Sequence, residues 1–270
     1  MRAHLVQLDI AWEDRDANIA RVEELLADAP IQPGDLVVLP ELFDSGFSLN
    51  IETTNDADGA TANAIAGIAR RLRITLHASR TIIGPDGKGR NQAHIVGPDG
   101  ATLAVYDKVH PFSFGQEPER FTAGDAVTTC QWRADEESLH ICPAICYDLR
   151  FPELFRAGLT QGAECFVLGA NWPDARIAHW RALLIARAIE NQAYVIGVNR
   201  VGDDPHLRYI GCSMAIDPMG EILIEMDARE AVGSVEIDPT QVRRWRERFP
   251  AWKDRKRWLG NGASGHHREG

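Results

Sequence analysis

Apolar and polar positions along the chain sort into segments of two periods. Residues 4–10 alternate as a strand does, and residues 16–27 place Ile19, Val22, Leu25 and Leu26 on one face of a helix. Pro30, Pro33 and Gly34 end that helix. Residues 35–41 are an unbroken apolar run closed by Glu41, the pattern of a strand buried on both faces in a parallel sheet with covers on either side. The helix period returns over residues 61–72. Strands at 74–83 and 91–96 are joined across Gly84-Pro85-Asp86-Gly87, and a second hairpin turns on Gly97-Pro98-Asp99-Gly100. Beyond a loop at residues 110–122, strands are predicted at 126–132 and 139–145, then a helix to about residue 159. A strand at 164–170, a helix at 177–191 with Ile177, Trp180, Leu184 and Ala188 in register, and a strand at 194–200 follow. Strand, helix, strand, helix and then paired strands thus occur twice, which predicts an α/β fold built as a four-layer α-β-β-α sandwich.

The last part of the chain departs from this pattern. After a short strand region at 221–237, residues 243–258 combine many arginines with Trp245, Phe249, Trp252 and Trp258. They are expected to form an extended arm anchored by its aromatics, with arginine stems lying along it. Such an arm could also cover a neighbouring subunit. Residues 1–258 are read as one domain and 259–270 as a loose tail.

Three apolar runs end on a reactive side chain. In PAICYDLRFPE (residues 143–153) a buried strand stops at Cys146, and Pro152 suits the first turn of a following helix. Cys146 is therefore expected in a sharp bend near a helix N-terminus, where backbone N–H groups lower a thiol pKa. Cys130, Cys142, Cys165 and Cys212 read as small buried hydrophobes. The run at 36–41 ends on Glu41 and that at 103–108 on Lys108. In a sandwich with parallel central strands the carboxyl ends collect on one edge, so the three side chains are candidates for one site.

The 270 residues, 44% hydrophobic and 25% charged, are compatible with one large globular domain. A formal net charge of -10 argues against nucleic acid or an anionic membrane as partner and leaves a small molecule. Five cysteines without framework spacing suit a reducing compartment, and no leader or bilayer-length apolar run is present, so a cytoplasmic protein is expected.

LPELFDSGF (39–47), YDKVHPF (106–112), CYDLRFPE (146–153) and ANWPDARIAHWRALLIARAIENQAYVIGVNRVG (170–202) together resemble the nitrilase, or carbon–nitrogen hydrolase, superfamily, and most closely the omega-amidases. The resemblance covers all but about the last dozen residues. It implies the same four-layer fold, a paired chain, no cofactor or metal, and a Glu, Lys and Cys set that falls here on Glu41, Lys108 and Cys146. Such a set can cleave an amide: Cys146 attacks the carbonyl, Glu41 takes the thiol proton and gives it to the departing nitrogen, and the Lys108 ammonium holds the oxyanion with the backbone N–H of Tyr147. Many relatives carry a second glutamate after the lysine that positions the substrate or the lysine; Glu117 matches it best, with Glu119, two residues on, as the alternative. Asn171 and Trp172 match the family's pocket wall, and Phe43, Phe47 and Phe112 are expected to line the pocket. Asp148 and Arg150 are read as bracing the Cys146 bend, and Arg187, Glu190 and Asn191 as a helix-end salt-bridge and capping set. For omega-amidases the implied substrates are small 2-oxo acid amides such as 2-oxoglutaramate.

Other chemistries fit less well. There is no Gly-x-Ser-x-Gly frame around Ser45 and no His-Glu-x-x-His among the nine histidines. A cysteine peptidase would have to pair Cys146 with His110 and leave Glu41 and Lys108 idle. The turn at 84–89 gives little support to a dinucleotide site. Nitrile hydrolysis, aliphatic amidase or N-carbamoyl cleavage would use the same residues, whereas a non-catalytic binding protein would not need the full set.

Overall fold

The computed structural model describes residues 1–256, so Trp258, the expected boundary at 258 and the 259–270 tail lie outside the described residues. In chain order the elements are β1 Arg2–Gln7, α1 Arg15–Ala27, β2 Leu36–Val38, α2 Ile51–Thr54, α3 Ala60–Leu72, β3 Thr75–Ile83, β4 Gly89–Val96 and β5 Thr102–Asp107. Then come α4 Glu117–Arg120, β6 Cys130–Ala134, β7 Glu137–Ile145, α5 Pro152–Thr160, β8 Cys165–Ala170, α6 Ile177–Asn191 and β9 Tyr194–Asn199. The chain closes with β10 Val201–Asp203, β11 Arg208–Ile210, β12 Met214–Ile216, β13 Ile222–Glu225, β14 Ala231–Glu236 and α7 Pro239–Arg248.

Two six-stranded sheets carry the fold, in the orders β14-β1-β2-β3-β4-β5 and β13-β12-β9-β8-β7-β6. The centre of each is parallel, β1-β2-β3 in one and β7-β8-β9 in the other. Side-chain alternation sorts three cores. Ala3, Leu5, Leu36 and Val38 of the first sheet meet Ile141, Cys165, Val167 and Ile196 of the second between the sheets. Their sequence neighbours point the other way: Val6, Val37 and Leu39 pack against Val22 and Leu26 of α1 and Ile65 and Ile68 of α3. Phe166, Leu168 and Val195 pack against Leu154 and Phe155 of α5 and Trp180 and Leu184 of α6. The period-2 pattern of strands buried on both faces thus produces the four layers expected.

Local signals set the boundaries. Asp14 caps α1 by accepting from the Ala17 N–H at 3.1 Å, and α5 starts at Pro152, where a missing N–H costs nothing. The strand expected over 35–41 is shorter, Leu36–Val38, because the chain turns after Leu39 to deliver Glu41. The extended arm is also corrected. Pro239–Arg248 is a helix, started by Asp238, which accepts from the Thr240 N–H at 2.8 Å, with Pro239 at its first position. Trp245 on it and Phe249, four residues on at its C-terminal cap, have ring centres 5.4 Å apart and tilted to each other. Among the described residues no helix is long and apolar enough to cross a membrane.

Candidate active site

The carboxyl ends of β2, β5, β7 and β8 open into one cavity of about 510 Å³. Glu41, Lys108, Cys146, Tyr147, Asn171, Trp172, Phe47 and Phe112 all line it, so the sequence-predicted set is assembled apart from Glu117 and Phe43. Glu117 sits behind the wall, fully buried, and Phe43 belongs to the core under α1 and α3 rather than to the pocket. Its neighbour Leu42 has a left-handed backbone, φ +45°, which turns the Phe43 ring into the sheet–helix layer while Glu41 faces the cavity.

Lys108 is the hub. Its ammonium donates to Glu41 Oε1 at 2.8 Å and to Glu117 Oε2 and Oε1 at 2.8 and 3.1 Å, and it lies 5.4 Å from the centre of the Phe47 ring. Of the two candidates for the second glutamate, Glu117 is therefore the one at the site. Glu119 is exposed, because α4 turns it outward. Gln116, at φ +59°, begins that turn and aims Glu117 inward, where its Oε2 also accepts the Phe112 N–H at 2.5 Å.

Glu41 is held from three sides. Besides Lys108, it accepts the Asn171 backbone N–H at 3.0 Å and the Asn171 side-chain amide at 3.3 Å on Oε2, while that same amide donates to the Glu41 carbonyl at 2.6 Å. Asn171, expected as pocket wall, thus also fixes the carboxylate. The approach of β8 to the Glu41 turn requires Gly169: a Cβ there would stand 2.6 Å from the Leu39 oxygen. Asn91 of β4 escaped the sequence reading. Its amide donates to Glu41 Oε1 at 2.8 Å and to Glu117 Oε1 at 3.2 Å, so one neutral donor bridges both acids. The sequence sets Asn91 apart by nothing, since β4 also holds Arg90, Gln92 and His94.

Cys146 follows directly on β7 with φ +44°, a left-handed conformation unusual for a residue with a Cβ. A 3₁₀ turn, Cys146–Arg150, comes next, and Asp148 within it braces the bend as expected. Asp148 accepts the Ile145 N–H at 2.9 Å, the Tyr106 hydroxyl at 2.7 Å and the His110 N–H at 2.9 Å. His110 contacts Asp148 through Nδ1 at 2.8 Å and stacks on Phe151, so it is committed to the bend and not to the thiol. Arg187 secures the far side by donating to the Leu149 carbonyl at 2.8 Å while pairing with Glu190, and Asn191 donates to the Arg187 carbonyl, which matches the helix-end set. The Cys146 thiol points to the Asn171 carbonyl at 3.8 Å.

Electrostatics correct one expectation. Burial, reinforced by the nearby Glu41 charge, pushes the Cys146 thiol well above its ordinary pKa, and Lys108 only partly offsets this. The helix end does not lower it: α5 begins six residues later, after the 3₁₀ turn. Burial also pushes Glu41 up, but the Lys108 charge and the hydrogen bonds from Lys108 and the Asn171 N–H outweigh it, leaving Glu41 below the usual carboxylate range. Glu117 ends above that range, through burial and the neighbouring Glu41 charge. Burial alone would lower Lys108, but the two carboxylates raise it, so the ammonium stays charged. Of the other cysteines, Cys130, Cys142 and Cys165 are buried as expected and Cys212 is only half-buried. Arg150, expected to brace the bend, instead lines the cavity beside Trp172. Among the described residues no group of three or more His, Cys, Asp or Glu side chains is arranged to hold a metal.

A sandwich of this order with this cluster at its strand ends defines a class: the chain belongs to the carbon–nitrogen hydrolase family, whose sequence profile matches residues 2–247. Within it, the chain is 37% identical over 256 residues to omega-amidase YafV of Escherichia coli (strain K12), covering 94% of this chain and 96% of that protein. It is 32% identical over 251 residues to 2-oxoglutaramate amidase of Bacillus subtilis (strain 168), covering 92% and 95%. A solved CN-hydrolase superfamily protein of Xanthomonas campestris, which carries an arsenic adduct in its active site, superposes with a TM-score of 0.87 at 37% identity over 95% of this chain and 97% of that one. Nit3 of Saccharomyces cerevisiae, a nitrilase-superfamily member, superposes with a TM-score of 0.81 at 27% identity, covering 93% and 94%.

Proposed function

We propose that this chain is an omega-amidase, hydrolysing the terminal amide of small 2-oxo acid amides such as 2-oxoglutaramate to the acid and ammonia through a thioester on Cys146. The observation that carries the reading is the buried ammonium of Lys108 clamped between Glu41 and Glu117 at the floor of the cavity that Cys146 also lines. The names of the relatives, omega-amidase and 2-oxoglutaramate amidase, supply the substrate class.

In the proposed reaction the thiol starts protonated, since its pKa is raised, and passes its proton to Glu41 as sulfur bonds to the carbonyl carbon. Lys108 offers a donor to the tetrahedral oxygen, helped by the Tyr147 backbone N–H. An ammonium has three protons, and the longer of its two Glu117 contacts, 3.1 Å, is the one it can give up while keeping the other. Glu41 then protonates the departing nitrogen, ammonia leaves, and the thioester remains. A water molecule that yields its proton to Glu41 attacks the thioester, the acid departs, and the proton returns to sulfur. Glu117, above its ordinary pKa and outside the cavity lining, positions Lys108. Trp172, Phe47, Phe112 and Tyr147 form the wall against which the substrate lies.

Two finer readings go with this one. Exposed Ile189, Met219 and Phe249 support pairing of two copies, and five cysteines in the free state suit a reducing cytoplasm. The functional reading is tested by ammonia release from 2-oxoglutaramate, 2-oxosuccinamate, aliphatic amides and nitriles. The 2-oxo acid amides should be preferred at least tenfold in kcat/KM, and Cys146→Ala should lose turnover with its circular dichroism and melting curve unchanged. Equal rates across the amides, or ammonia release by Cys146→Ala, overturns it.

A further inference from the structure

Two guanidinium groups line the cavity, and they are not equivalent. Arg150 is pinned: it lies 4.7 Å from the centre of the Trp172 ring and 5.8 Å from that of Tyr147, with His179 Nδ1 at 3.4 Å. Arg176, last residue of the 3₁₀ turn Asp174–Arg176, lies 5.5 Å from the Phe112 ring, and among the described residues no oxygen accepts from its guanidinium. Its backbone is nevertheless fixed to the wall, because its carbonyl accepts the Trp172 indole N–H at 2.8 Å.

The acids of the cavity lining other than Glu41 have hydrogen-bond partners of their own. Glu13 accepts from the Ser48 hydroxyl at 2.5 Å, and Asp204 accepts the Tyr209 hydroxyl at 2.6 Å and the N–H groups of His206 and Leu207 at 2.7 Å. Arg176 is thus a planar cation with five unused donors, held at a mostly apolar wall in the cavity that Cys146 opens into. A guanidinium in that setting matches a carboxylate two-pronged, as an ammonium would not.

We propose that Arg176 is the specificity-determining residue of the site, binding the carboxylate at the end of the substrate remote from the amide. The inference rests on the omega-amidase reading and adds to it the group that makes an anionic amide preferred over a neutral one. In 2-oxoglutaramate three carbons separate the amide carbon from the carboxylate, so the two ends engage different walls of the cavity, the amide at Cys146 and the carboxylate at Arg176.

The test compares kcat/KM for 2-oxoglutaramate with that for pentanamide, an uncharged amide with the same number of carbons, in wild type, Arg176→Gln and Arg176→Lys. The ratio of the two constants should fall by about thirty- to a hundredfold in Arg176→Gln, chiefly through KM for the anion, the range for losing one charged hydrogen-bonded partner. Arg176→Lys should recover part of it by keeping the charge without the fork. A residue that served only to hold the wall would lower both substrates alike and leave the ratio unchanged, and that result overturns the inference. If wild type itself shows no preference for 2-oxoglutaramate, the proposed function fails first and this inference with it.

Discussion

The floor and the rim of the cavity are built to different standards. On the floor, Glu41 receives hydrogen bonds from Lys108, Asn91 and Asn171, and Lys108 is shared between two carboxylates, all of them buried. Toward the rim, Arg150 is held by ring faces and a long contact to His179, Arg176 by one ring face, and His206 by an edge contact to Trp12 at 5.9 Å. A buried charge with too few partners is expensive, so the floor has to be over-determined whatever the substrate is. Half-exposed groups bear no such demand. The same scaffold can therefore keep its chemistry fixed while the rim varies in what it admits.

Five substitutions would break or sharpen that contrast. Lys108→Ala leaves two buried carboxylates without their cation. It should reduce turnover by more than about a thousandfold, as oxyanion support is lost. It should also destabilise the fold by about 3 kcal/mol in urea unfolding. Glu117→Gln keeps the shape but withdraws one charge from Lys108 and should cost about a hundredfold in kcat, whereas Glu119→Gln, on the exposed side of α4, should stay within twofold of wild type. Equal effects of the two would mean that Glu117 does no more than fill space.

Asn91→Ala removes a donor that favours the charged form of Glu41, so the Glu41 pKa should rise. The base form of Glu41 is needed for turnover. The acid limb of kcat/KM should therefore move to higher pH by about one unit, with about a tenfold loss at the optimum. A limb that stays in place would take Asn91 out of the proton balance. At the rim, His206→Ala should raise KM about threefold and leave the acid limb where it was.

How much of this could be read from the chain follows the same division. Strands buried on both faces announce themselves as apolar runs, and a charged or nucleophilic residue at the end of such a run stands out. Glu41, Lys108 and Cys146 were legible for that reason. Asn91 was not, since a polar residue inside a strand looks the same whether it meets water or two carboxylates. The resemblance favours Glu117 over Glu119, but its physical cause, the left-handed turn at Gln116, is displayed by no side-chain pattern. A strand-to-helix bend predicts a lowered thiol pKa, but burial beside Glu41 outweighs it, and only the packed site displays that balance. The arginines and aromatics of residues 243–258 suggest an extended arm by composition, whereas Asp238 and Pro239 mark the start of the helix that forms there.

The central claim is that sulfur carries the substrate's acyl group. Rapid acid quench of the wild-type protein during turnover of 2-oxoglutaramate, followed by peptide mass spectrometry, tests it directly. The peptide containing Cys146 should gain the mass of the substrate less one ammonia. Turnover with that peptide unmodified at every quench time, and hydroxylamine failing to divert product to the hydroxamate, would contradict the account.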